Sequence, residues 1–81
     1  MDDRIRDVIA AHARLAVDPS TLSEHEDLYS AGMTSHASVN LMLALENEFD
    51  VEFPDRMLKR SVFESVASIA AALDELDVQA A

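Results

Sequence analysis

Thr34-Ser35-His36-Ala37-Ser38-Val39-Asn40-Leu41-Met42-Leu43-Ala44-Leu45-Glu46-Asn47-Glu48-Phe49-Asp50 is the stretch on which the reading of this chain turns. Six of the seven residues from Val39 to Leu45 are apolar, and a capping hydroxyl, Thr34, stands before them. At about 100° per residue, Leu41, Met42, Leu45 and Phe49 fall within one third of the helix circumference, which makes them the buried stripe. The pattern predicts a helix from about Ser35 to about Asp50.

Working outward, Ile5, Val8, Ile9, His12 and Leu15 follow the spacing of one helical face. They predict a first helix over residues 2–16, capped by Asp2 or Asp3 and stopped by Val17-Asp18-Pro19. Residues 20–33 carry no period and read as a packed functional loop, tacked down by Leu22, Leu28, Tyr29 and Met33. Gly32 in that loop is expected to take a backbone angle closed to other residues. After Phe53-Pro54-Asp55, residues 56–60 predict a turn or two of helix, with Met57 and Leu58 covering one end of the core. Val66, Ile69, Ala70, Leu73 and Leu76 predict a last helix starting near Glu64 or Ser65, and residues 77–81 are expected to fray.

No segment alternates with the period of a strand, and no repeat is present. The expected fold is therefore all-α: one domain over residues 1–81, a small four-helix bundle of three longer helices and one short one, with the long loop after the first.

Composition limits the function. The 81 residues include 16 Asp and Glu against 6 Lys and Arg, a formal charge of −10. Such an excess disfavours nucleic acid and anionic lipid and favours basic protein surfaces as partners. A domain of this length buries only about 60–65% of its unfolded surface, too little to wall off a deep substrate cavity. With no cysteine there is no thiol of its own, and with a single glycine neither glycine-rich nucleotide motif is present. The charged start and the lack of a long apolar run predict a cytoplasmic protein without a membrane span.

Ser35 opens the central helix, where unpaired backbone N–H groups and the helix dipole favour a phosphate. From position alone the plainer reading is that Ser35 merely caps the helix. Ser35, Val39, Leu43, Glu46 and Asp50 lie on one stripe at steps near i+4 and form a candidate docking face, with His36 beside them. Val39 and Leu43 also fit a simply wide core, and the acids a solvated helix end. Ser35 and His36 diverge by about 100° and do not make a nucleophile and base pair. His12, His25 and His36 have no metal-ligand spacing, so neither catalytic nor metal residues are expected.

Asp27-Leu28, Gly32-Met33-Thr34-Ser35, the run Val39 to Leu45, and Glu46 to Asp55 with its Glu-Phe-Asp and Phe-Pro-Asp elements together resemble the acyl carrier protein family over nearly the whole chain. The resemblance implies a non-catalytic carrier. Ser35 would bear the 4′-phosphopantetheine arm of coenzyme A, installed by a phosphopantetheinyl transferase, and the arm's thiol would hold acyl intermediates as thioesters. Its implied partners are loading and transferring enzymes with basic docking patches, met by a monomer. Thr34 and His36 replace the usual aspartate and leucine beside the serine, and Ala37 and Asn40 occupy places that are often acidic. These departures point to a specialised carrier, for an unusual lipid, a polyketide or an aminoacyl group, and the likeness of the Glu46 to Asp55 stretch to stand-alone acyl carriers implies lipid, fatty-acid or polyketide synthesis. The alternatives are an aminoacyl or peptidyl carrier charged by a dedicated ligase, and an unmodified acidic interaction module.

Overall fold

The computed structural model describes residues 2–13 and 15–76. Among them lie four helices and no strand: α1 (Asp2–His12), α2 (Ser35–Phe49), α3 (Arg60–Phe63) and α4 (Val66–Glu75), with 3-10 turns at Pro19–Thr21 and Asp55–Met57. The all-α bundle expected from the periodicities is the observed fold. The expected fraying of residues 77–81 lies outside the described residues.

Helix α2 is the longest of the four. Ala37, Leu41, Leu45 and Phe49 form a buried line at successive i+4 steps, while Met42 packs half-buried at its edge. Thr34 caps the helix as expected, its hydroxyl oxygen accepting the Ala37 N–H at 3.0 Å. At the other end Asp50 takes a left-handed conformation, φ 55°, and the carbonyl of Glu46 accepts the N–H groups of both Asp50 and Val51. Arg4 of α1 closes this end: its guanidinium stands 4.5 Å from the Phe49 ring centroid and donates to the Glu48 carbonyl at 3.0 Å. A cation at a helix C-terminus also complements the dipole.

Helix α1 packs against α2 and α4 through Ile5, Val8, Ile9 and, just past its end, Ala13. Two expectations fail here. His12 is exposed, and Ala13 takes the buried place, because the inward line runs Ile5, Ile9, Ala13 at i+4 rather than through residue 12. The helix ends at His12 instead of Ala16, since the Ala16 N–H is given to the Ala31 carbonyl at 3.1 Å and cannot continue the helical ladder. Asp2 and Asp3 occupy the first turn of α1, where their charge suits the dipole, and the Asp2 carboxylate accepts from Arg6 Nε at 3.1 Å.

The loop from Ser20 to Met33 is packed, not slack. Leu28 and Met33 are buried in the core, and Leu22 and Tyr29 lie against it. Its backbone is tied at both flanks: Leu28 N–H to the Glu64 carbonyl at 2.6 Å, and the Glu24 carbonyl to the Ala67 N–H at 2.8 Å. Arg6 adds two donations at 2.7 Å, to the carbonyls of Pro19 and Leu22. Gly32 adopts φ +117°, as expected.

The region after Pro54 differs from expectation. Met57 is buried, but Leu58 is 47% exposed. The short helix begins at Arg60 rather than ending there, and Phe63, whose ring meets Phe53 edge-on at 5.2 Å, closes the core in place of Leu58. Helix α4 starts at a reciprocal capping box between Ser65 and Ser68.

Candidate functional site

Ser35 is exposed at the first position of α2, in the gap between α2 and the segment 58–63. With Thr34 serving Ala37 and Ser38, the N–H groups of Ser35 and His36 have no acceptor among the described residues. The Ser35 hydroxyl makes no hydrogen bond among them either. Its rivals are committed: the Ser38 hydroxyl donates to the Ser35 carbonyl at 2.7 Å, and that of Ser30 donates to Asp27 Oδ2 at 3.2 Å. A free, accessible hydroxyl beside unpaired N–H donors is the chemistry a phosphodiester at a helix start requires.

An open groove of about 320 Å³ starts at Ser35. Ser38 and Val39 of α2 form one wall; Leu58, Lys59, Arg60 and Phe63 form the other, with Tyr29 of the long loop beside them. The Arg60 guanidinium lies over the Tyr29 ring at 4.0 Å from its centroid. This second wall lies outside the site residues to which the sequence pattern pointed. Its only signal was the adjacent pair Lys59-Arg60 in a chain with so few cations.

The stripe named from the sequence divides in two. Val39 is 51% and Leu43 53% exposed, so the wide-core reading of these two fails. They are offset by two residues, about 200°, from the buried line through Leu41 and Leu45. His36 and Asp50 are also exposed, one at each end of that outer line. Glu46 departs from it: the residue is half-buried, and its Oε2 accepts the Phe53 N–H at 2.8 Å. The three histidines do not converge, and no group of His, Cys, Asp and Glu able to hold a metal exists among the described residues.

A family model described as a phosphopantetheine attachment site matches residues 3–73. The chain belongs to the phosphopantetheine-bearing carrier proteins. As such it is a non-catalytic carrier with a covalently attached phosphopantetheine, and the free hydroxyl, unpaired N–H groups and adjoining groove fit that group. The carrier is 44% identical over 69 residues, 85% of this chain and 83% of the relative, to an aminoacyl carrier protein of Agrobacterium fabrum. Its fold matches that of a carrier protein from Agrobacterium tumefaciens, crystallised with an engineered glycine:[carrier protein] ligase of Bradyrhizobium japonicum and AMP, with a TM-score of 0.89 and 40% identity over 91% of this chain and 99% of that one. A glycylated carrier protein in complex with the Bradyrhizobium japonicum ligase is similar at TM-score 0.75 and 28% identity, covering 88% and 95% of the two chains. No helix of the carrier among the described residues is long and apolar enough to cross a membrane.

Proposed function

We propose that the carrier bears its phosphopantetheine on Ser35 and holds an amino acid, delivered by an ATP-dependent ligase, as a thioester on the arm's thiol. The observation that carries the attachment point is the Ser35 hydroxyl, exposed at the start of α2, while those of Ser30 and Ser38 are engaged. The cargo reading follows from the relatives: an aminoacyl carrier at 44% identity, and carriers seen with a ligase that acts with glycine. It takes up the aminoacyl alternative that the departures beside Ser35 left open next to a lipid or polyketide cargo. Those departures, Thr34 and His36, fit a carrier addressed to its own loading enzyme.

Partner enzymes meet the outer line of α2. Val39 and Leu43 supply an apolar centre, His36 lies next to the attachment point, and Asp50 supplies charge at the far end. The overall charge of −10 steers basic patches towards the carrier, and weak docking lets it move between enzymes. Glu46 contributes to this face only through what its inward hydrogen bond leaves free.

The test of the cargo is competitive loading. The holo carrier is incubated with ATP, a mixture of amino acids and an aminoacyl:[carrier protein] ligase, and in parallel with fatty acids and an acyl carrier synthetase. An aminoacyl mass gain removed by hydroxylamine, together with amino acid on the carrier isolated from its own cells, supports the reading. A fatty acyl group as the native cargo overturns it.

A further inference from the structure

We infer that Lys59 and Arg60 form a seat on the carrier's own surface for the phosphodiester of its arm, with Tyr29 holding the Arg60 guanidinium in position. The inference rests on attachment at Ser35 and concerns what the far wall of the groove does to the arm once it is there.

Charge pairing isolates these two residues. In a chain of net charge −10, Arg4 pairs with Glu48 at 3.1 Å, Arg6 with Asp2 at 3.1 Å and Arg56 with Glu75 at 2.6 Å. Lys59 and Arg60 have no carboxylate within 4.0 Å among the described residues, despite 16 acidic side chains in the chain. Both line the groove that starts at Ser35. Two unneutralised cations beside an attachment serine leave positive potential where an anion bonded to that serine would lie.

The geometry of Arg60 suits this task. The Arg60 guanidinium is held over the Tyr29 ring, and none of its side-chain N–H groups donates a hydrogen bond among the described residues, so its planar fork is in place and free before any anion arrives. A phosphodiester has two unbridged oxygens, the pattern that fork matches. Beyond the cations the groove is apolar at Val39, Leu58 and Phe63, with Leu58 47% exposed. That surface lies where the methyl-bearing first part of the arm would run. Seated at the phosphate, the arm leaves the protein along the channel between α2 and residues 58–63 instead of sweeping a full hemisphere. This narrows the volume its thiol samples and raises its concentration at a docked enzyme.

The test compares apo and fully loaded carrier, with loading confirmed by intact mass, for the wild type, the double variant Lys59→Gln/Arg60→Gln, and Arg60→Lys. Both positions are exposed, and matching amide spectra of the apo forms verify the fold. In the wild type, loading is expected to shift the Arg60 side-chain N–H resonance and the Tyr29 ring, and to broaden the phosphorus-31 line. Salt at 0.5 M should reduce these shifts at least twofold. The double variant should lose them and show a sharp phosphorus line; Arg60→Lys should keep less than half. Wild type carrying the adduct yet unchanged at Arg60 and Tyr29 overturns the inference. So do equal shifts in the double variant, or perturbation of Lys59 and Arg60 only on addition of a partner enzyme, which would assign the pair to a partner's carboxylates. Absence of an adduct at Ser35 is a separate result and overturns the attachment reading instead.

Discussion

The carboxylate of Glu46 accepts the backbone N–H of Phe53 at 2.8 Å, so a residue placed by its spacing on the outer stripe of α2 instead folds the chain behind that helix. The Glu46 carbonyl accepts from Asp50 and Val51 as well, making this one residue the stop of α2 and the guide for the turn that buries Phe53. Glu46→Ala leaves the Phe53 N–H without its charged acceptor and is expected to cost about 1–3 kcal/mol. Glu46→Gln keeps an acceptor oxygen and should recover about half of that loss. Urea unfolding followed by circular dichroism measures both. Equal stability of the alanine variant and wild type would show that the bond contributes nothing.

Phe49 is the last buried residue of α2, covered by the Arg4 guanidinium. Its replacement by alanine removes the ring and opens a cavity at the meeting of α1 and α2, at a cost of about 3–5 kcal/mol. A core of this size supplies only about that much net stability, so Phe49→Ala should be largely unfolded at 25 °C by amide NMR dispersion. A folded variant with a Tm within a few degrees of wild type would contradict the packing described here.

At Gly32, φ +117° is closed to other residues, and a Cβ there would stand 3.2 Å from the Ala16 nitrogen. That nitrogen donates to Ala31 and ends the first helical segment, so it has little room to yield. Gly32→Ala is expected to destabilise by about 1–3 kcal/mol, read as a lower urea midpoint with an unchanged slope. An unchanged midpoint would mean the loop relaxes freely.

The Asp18 carboxyl is held below the usual aspartate range by the backbone N–H of Ser20, at 3.0 Å, and then by the Ser20 hydroxyl. A carboxyl depressed in the folded state stabilises the fold at pH above its unfolded pKa and loses that contribution as pH falls through the folded value. In a carbon-13 titration Asp18 should therefore protonate at lower pH than in a short peptide spanning residues 16–22. Coincident titrations would remove the turn-capping role given to it.

Much of the bundle was legible because it is local. The i+4 line of α2, the Thr34 cap, the tacking of Leu28 and Met33 and the positive φ of Gly32 each depend on a few neighbouring residues, which a periodic pattern encodes. What escaped depends on segments distant in sequence. The exchange of His12 for Ala13 follows from which side of α1 the other helices cover. The exposure of Leu58 follows from Phe63 reaching Phe53 first. The groove wall beside Ser35 joins Tyr29 to Arg60 across 31 positions, and no local period reports such a meeting. Ser35 became the candidate because it opens a helix and because the pattern around it, Gly32 to Ser35 and Glu46 to Asp55, resembles the carrier family.

Intact-mass spectrometry of the carrier after incubation with coenzyme A and a broad-specificity phosphopantetheinyl transferase bears most directly on the central claim. Wild type should gain one phosphopantetheine, while Ser35→Ala, with an amide spectrum and Tm matching wild type, should gain none; Ser30→Ala and Ser38→Ala should load normally. An adduct that persists in Ser35→Ala, or a wild type that stays unmodified with every transferase including that of its own cell, would contradict it.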